Sequence, residues 1–336
     1  MRISESELIE RYFIGRGAAR AGDVRIGIGD DAAVVAVPRG CELVLTTDVQ
    51  VEGVHFLKSA PPRALGHRAL AVNLSDIAAM GGEPSWMLLS LVLPDARERW
   101  LREFSRALGA LATRAGVALV GGNLSRGPLS ITIALVGLVP AGKALRRDGA
   151  RAGDDLYVSG TLGDAAGGLE LLRRRGGIST AAARYLRRRF EYPQARVALG
   201  QALRGIASAC IDVSDGLYVD ASRLLSASEC SATLELEALP VSAPLRQLCG
   251  SRALTLALSG GEDYELCFTA PDRQRAALAR LARRLRLPIA RIGTVRRGAG
   301  GLQLRGLDGK SVTQFSALAF DHFGVTQTGR SRRHRR

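Results

Sequence analysis

No apolar run in the 336-residue chain reaches the ~18–20 residues that a membrane-spanning helix needs. The longest candidate, "ITIALVGLVP", stops at Pro140 and reads as a strand. The opening "MRISESELIERYF" lacks the apolar core of a secretory leader and is expected to form a short amphipathic helix. The cysteines at 41, 210, 230, 249 and 267 contain no C-x-x-C pair, which argues against both structural zinc and a disulfide framework. The histidines at 55, 67, 322 and 334 are too dispersed in sequence for a zinc centre. Together these absences point to a reducing cytoplasm and away from a membrane.

Familiar nucleotide signatures are missing too. "GLVPAGKA" (137–144) matches G-x-x-x-x-G-K, but Ala144 replaces the magnesium-binding hydroxyl, and Pro140 and a charged loop stand where a helix is required. There is no G-x-G-x-x-G with a following acid and no kinase H-R-D or D-F-G set. Acids are the scarcer charge, 32 against 47 Lys and Arg, and five arginines fall in the final "RSRRHRR". The tail reads as a solvated basic segment. No RNA-binding aromatic motif, zinc finger or helix-turn-helix accompanies it, so nucleic acid is not the expected partner.

What is present is an alternation of Gly-bounded strand-like and helical runs, which predicts an α/β or α+β protein. Hydrophobic content of 46% suits a sizeable core, and the length suggests two domains. "GIGDDAAVVAVP" and "CELVLTTDV" look like neighbouring strands. "PPRALGHRALAVNLSDIAAMGG" has a Pro start and a Gly-Gly stop, and "PDARERWLREFSRALGALATRAG" is a second helix ending at Gly116. The polar, Gly-rich "GKALRRDGARAGD" is the expected domain boundary. Beyond it, "DLYVSG", "ACIDVSDG", "ELCFTA" and "IARIGTV" read as strands between helical runs.

Five acid clusters share one setting, at or near the end of an apolar run beside Gly, Ser or Thr. They are Asp30-Asp31, Thr46-Thr47-Asp48, Asp76, Asp212 with Asp215, and Glu262-Asp263. Any one of them suits a turn or a helix cap. Five together suggest more, because carboxylates brought close repel one another until a cation neutralises them. Carboxylates and hydroxyls without histidine suit magnesium, which usually brings phosphate with it. Asp76 follows Asn73 by three residues in a helical run, so the two can share a face.

Seven motifs, in order, resemble those of the thiamine-monophosphate kinase family: "GIGDDAA", "TTDVQVEGVHF", "ALAVNLSDIAAMGG", "GGNLSRGP", "VSGTLGDAAGGLELL", "DVSDGL" and "SGGEDYELCFT". The resemblance runs from about residue 5 to "AFDHF" near 323. It implies the two-domain fold of aminoimidazole ribonucleotide synthetase. A domain over 1–142 would bind ATP and metal and dimerise, a second α/β domain would cover 150–325, and 326–336 would be a disordered basic tail. It also implies ATP-dependent conversion of thiamine monophosphate to thiamine diphosphate with several Mg2+ ions, usually by a homodimer. Residue by residue, Asp31, Thr46, Thr47, Asp48, Asp76, Asn123, Asp212 and Asp215 resemble metal ligands, with Asp76 as a bridge between metals. Gly122, Asn123, Arg147 and Ser214 resemble nucleotide contacts, and His55, Glu262 and Phe320 resemble contacts to thiamine phosphate. Asn123 stands where many members carry Asp, so that position brings one negative charge fewer.

A phosphate acceptor is already anionic near neutral pH, so no catalytic general base is expected. The alternatives are a relative of the same superfold acting on a ribonucleotide, a selenium compound or a carbamoyl group, a nucleic-acid-binding protein, and a nicotinamide-dependent oxidoreductase. "GGEDYEL" together with "VEGVHF" favours the thiamine branch over the first. The missing dinucleotide fingerprint argues against the last.

Overall fold

The helix Pro62–Ala79 is buried on nearly every side. Leu65, Leu70 and Ile77 drive that burial, and Pro62 in the first turn gives up an N–H that the helix could not have used. In the computed structural model, which describes residues 4–18, 23–174, 180–298, 301–306, 308 and 310–312, this helix lies between two sheets.

The first sheet has four strands in the order Cys41–Val51, Ser130–Pro140, Glu83–Leu93, Ala118–Arg126. The first three are antiparallel neighbours and the last pair is parallel. The parallel pair is joined through the helix Glu98–Ala115, which ends on a left-handed Gly116 as its sequence predicts. Pro62–Ala79 and Glu98–Ala115 pack on one face of this sheet through Leu70, Ile77, Phe104 and Leu108.

The second sheet has seven strands in the order Ser311–Val312, Leu302–Arg305, Cys230–Glu235, Ile289–Arg297, Asp155–Ser159, Glu265–Ala270, Ala209–Val213. It is antiparallel except where Leu302–Arg305 meets Cys230–Glu235. Asp155–Ser159, Ala209–Val213 and Glu265–Ala270 are buried at every position, because helices cover both faces. The helix Val197–Leu203 joins this half to the first. A Cβ at its Gly200 would lie 1.9 Å from the carbonyl oxygen of Ala78, so glycine permits the close crossing.

The alternating architecture predicted from sequence is present. One pairing differs. "GIGDDAAVVAVP" contributes only the two-residue strand Val34–Val35, which pairs with Val24–Ile26 in a separate hairpin, while Cys41–Val51 pairs with Ser130–Pro140. Gly27, Gly29 and the exposed Asp30 and Asp31 interrupt the run, leaving too little apolar surface on either side to extend the larger sheet. Among the described residues no helix is long and apolar enough to cross a membrane, and the five cysteines are free thiols.

Candidate active site

Side chains alternate across a strand, so "TTD" cannot aim all three residues one way. Thr46 and Asp48 turn toward the Pro62–Ala79 helix, while Thr47, with Leu45 and Val49, lies on the exposed face. Thr46 Oγ1 donates to Asp76 Oδ2 at 2.5 Å, and the backbone N–H of Asp48 donates to Asn73 Oδ1 at 3.1 Å. Asn73 and Asp76, three apart, thus face one strand together. One residue before Asp76, Ser75 Oγ reaches across to the second sheet and donates to Asp212 Oδ2 at 2.9 Å.

A strand, a helix and a strand of the other sheet therefore bring three carboxyls to one junction. Burial, followed by the charge of Asp76, pushes Asp48 up to about 6 and Asp212 up to about 7. Burial raises Asp76 as well. Asp76 also lies in the last turn of its helix, where the helix dipole disfavours negative charge. Arg147 is exposed, and its positive charge acts on both Asp76 and Asp212, which puts it beside the cluster.

Asp212 is the penultimate residue of its strand, and after Val213 the chain turns at Ser214-Asp215-Gly216 into the helix Leu217–Ala227. Asp220, in the first turn of that helix, accepts from the backbone N–H groups of Ser214, Asp215 and Gly216 at 3.1, 2.9 and 3.1 Å. It holds the loop that presents Ser214 and Asp215. Arg223 contacts both Asp215 and Asp220.

A cavity of about 630 Å³ opens beside this junction, lined by Asp48, His55, Arg68, Ser214, Asp215 and Glu262 among others, with Thr47 also on its wall. His55 Nδ1 accepts from the backbone N–H of Val51 at 3.0 Å, which places the ring proton on Nε2. Glu262 adopts a left-handed backbone, φ +76°, and its N–H is tied to the Ser214 carbonyl at 2.8 Å. A second cavity, about 910 Å³, is lined by Asp31, Gly122 and Asn123 with Phe13, Trp86 and Leu88. Asp48, Ile133, Leu89 and Gly122 form one row across the four-stranded sheet. Three strand spacings therefore separate the backbones of Asp48 and Gly122, about 14 Å. Gly122 is required there, because a Cβ would lie 1.9 Å from the carbonyl oxygen of Leu89.

Of the predicted set, the structure joins Thr46, Asp48, Asp76 and Asp212, with Arg147 alongside. It places His55, Thr47, Ser214, Asp215 and Glu262 on the adjoining cavity, and Asp31, Gly122 and Asn123 on the second. Phe320 and the basic tail lie outside the described residues. Among the described residues no three His, Cys, Asp or Glu side chains are gathered as a ready-made metal cage; the Thr46 hydroxyl bonds Asp76, and the Ser75 hydroxyl bonds Asp212. Sequence reasoning missed Asp220 and Arg68. An acid in the first turn of a helix following "SDG" is a signal for Asp220.

The chain matches two family models, AIR synthase related protein, N-terminal domain, over 29–139 and AIR synthase related protein, C-terminal domain, over 151–304. It is 46% identical over 327 residues to the thiamine-monophosphate kinase of Salmonella typhimurium, covering 97% of this chain and all of that one. It belongs to the thiamine-monophosphate kinase family. The crystal structure of thiamine-monophosphate kinase from Stenotrophomonas maltophilia K279a superposes with a TM-score of 0.82 at 44% identity, covering 87% of this chain and 93% of that one. A further family member, AaThiL complexed with AMPPCP and TMP, matches with a TM-score of 0.75 at 38% identity over 85% of this chain and 90% of that one.

Proposed function

We propose that this protein transfers the terminal phosphoryl group of ATP to thiamine monophosphate, yielding thiamine diphosphate and ADP. The observation that carries the reading is the convergence of Asp48, Asp76 and Asp212 beside a cavity whose wall also bears His55 and Glu262. A relative solved with AMPPCP and TMP supports the pair of substrates.

The acceptor is a phosphate oxygen. It attacks the γ-phosphorus of ATP, a new P–O bond forms, and the bond to the β,γ-bridging oxygen breaks as ADP leaves. No proton need be removed from the nucleophile, so the chain's task is to bring two polyanions together. At ~4 Å two unit charges repel by ~4 kcal/mol at an effective dielectric of ~20. The donors present fit Mg2+: one buried and two half-buried carboxylates whose ionisation is opposed by desolvation and by one another, with the Thr46 hydroxyl and no nitrogen or sulfur in the set. Asp48, Asp76, Asp212 and Thr46 would hold the ions with Asp215; Asp31 and Asn123 would join from the second cavity, and Thr47 would approach from the opposite, exposed face of its strand. Bound Mg2+ would supply charge neutralisation between the two phosphates. Gly122, Asn123, Arg147 and Ser214 would hold the nucleotide. His55 would donate from Nε2 to the thiamine phosphate and Glu262 would accept from its aminopyrimidine ring, with Phe320, outside the described residues, as the third contact that the family resemblance implies.

Leu43, Leu45, Val49 and Leu88 are 47%, 69%, 49% and 44% exposed, on the sheet face opposite the Pro62–Ala79 helix. We assign that face to a second copy of the chain, giving a homodimer. The free thiols suit a cytoplasmic enzyme.

The test is to mix the protein with ATP, Mg2+ and thiamine monophosphate and assay for thiamine diphosphate. Wild type is expected to form it, and Asp48→Asn and Asp76→Asn are expected to lose turnover while keeping their fold by circular dichroism. Near-normal rates in both variants would overturn the reading.

A further inference from the structure

Arg68 is 2% exposed, yet it carries a permanent charge in the middle of a helix. Its Nη1 donates to the carbonyl oxygen of Phe190 at 2.7 Å, and its guanidinium lies over the Phe190 ring, 4.5 Å from the centroid. Its Nη2 contacts Glu262 Oε2 directly. A buried cation without a counterion would be strongly disfavoured, and Glu262 is the acid in contact with it. Tyr264, itself buried, donates its hydroxyl to the same oxygen at 3.0 Å.

Both donors fall on Oε2. The other oxygen, Oε1, accepts from no described residue, and the Glu262 side chain remains 29% exposed on the cavity wall. The backbone is committed to the same end: Glu262 and Tyr264 both adopt positive φ, +76° and +52°, and their N–H groups bond the carbonyls of Ser214 and Val213 at 2.8 and 2.9 Å. Positive φ is uncommon in residues with a Cβ and persists where surrounding bonds fix it.

We propose that Arg68 and Tyr264 clamp Glu262 through Oε2, keeping it a carboxylate and leaving Oε1 as a single, fixed acceptor for an N–H of the substrate's heterocycle. Arg68 is then a positioning residue for acceptor specificity. The proposal rests on the thiamine monophosphate reading and adds to it the residues that make Glu262 selective. An unclamped carboxylate would have to lose rotational freedom on binding; a clamped one has already lost it. A site built to accept from one N–H rejects an analogue lacking that donor, because the buried acceptor is left unpaired.

The test compares thiamine monophosphate with the analogue carrying oxygen in place of the ring amino group, using ATP and Mg2+. Wild type is expected to favour the amino form in kcat/KM by at least ~10-fold. Arg68→Met is expected to raise KM for thiamine monophosphate by ~10-fold or more while KM for ATP and kcat stay within ~3-fold, and to bring the preference ratio toward one. Arg68→Lys should restore part of the ratio, and Tyr264→Phe, which keeps the ion pair, should lower it by a smaller factor. If Arg68→Met fails to fold, the last two variants carry the test. Equal loss toward both acceptors would mean that Arg68 binds the shared phosphate, and would overturn the clamp. So would an unchanged ratio in the variants of an active wild type. A wild type that phosphorylates neither acceptor overturns the functional reading instead, and the clamp with it.

Discussion

Asp212 is 4% exposed and accepts a hydrogen bond from Ser75, yet burial and the nearby Asp76 hold its pKa at about 7, well above the ordinary 3.8. A folded-state pKa above the unfolded value means that the metal-free folded protein binds the extra proton between about pH 4 and pH 7, so this group costs stability as pH rises through that window. Asp212→Asn should therefore raise the melting temperature of the metal-free protein at pH 8, by at least ~2 °C, and change it little at pH 5. Added Mg2+ should stabilise wild type at pH 8 more than it stabilises the variant. Thermal melts at the two pH values check both statements; an equal shift at pH 5 and pH 8 would mean that the carboxyl is not strained by its charge. At this scale the sequence was legible where a residue belonged to a motif. "TTD" and "DVSDG" stand out as acids beside hydroxyls and glycine. Thr47 parted from its neighbours because the period of a strand sends alternate residues to opposite faces. Arg68 could not be read, since a lone arginine among helical apolar residues looks like a solvated charge until its counterion arrives from residue 262, 194 positions away.

Elements with local stop and start chemistry were the readable ones. Pro62 and the Gly81-Gly82 pair bound one helix, and Gly116 closes another. The strand Cys230–Glu235, "CSATLE", went unread because its six residues lack any alternation of large apolar side chains; contacts with Ile289–Arg297 and Leu302–Arg305 make it a strand. The joint between the halves depends on one such unreadable feature, the absent side chain at Gly200. Gly200→Leu would drive a Cβ to within 1.9 Å of the Ala78 carbonyl and force the Val197–Leu203 helix away from Pro62–Ala79. The expected cost is ~2–4 kcal/mol, read as a fall in denaturant midpoint, with turnover falling further than stability because Ser75 and Asp212 would separate. A midpoint equal to wild type would mean that the crossing is looser than described.

At the scale of the molecule, the site belongs to neither half alone. The first sheet and its central helix supply Thr46, Asp48 and Asp76, and the second sheet supplies Asp212, with Ser214 and Asp215 in the loop that follows it. The apolar face bearing Leu45 and Leu88 also borders the cavity lined by Asp31 and Asn123, so the proposed second copy and the proposed nucleotide contacts would share one surface. Leu45→Glu, at a position 69% exposed, should leave the monomer's melting temperature within about 3 °C but convert a dimer to a monomer in light scattering. A wild type that is monomeric at micromolar concentration would remove the second copy from the proposal.

Carboxylates from both halves are proposed to hold divalent cations in common. Mn2+ titration followed by electron paramagnetic resonance, with AMPPCP present, tests it most directly. Wild type is expected to retain at least one more tightly bound Mn2+ than Asp76→Asn or Asp212→Asn. Superimposable isotherms for the three proteins would contradict it.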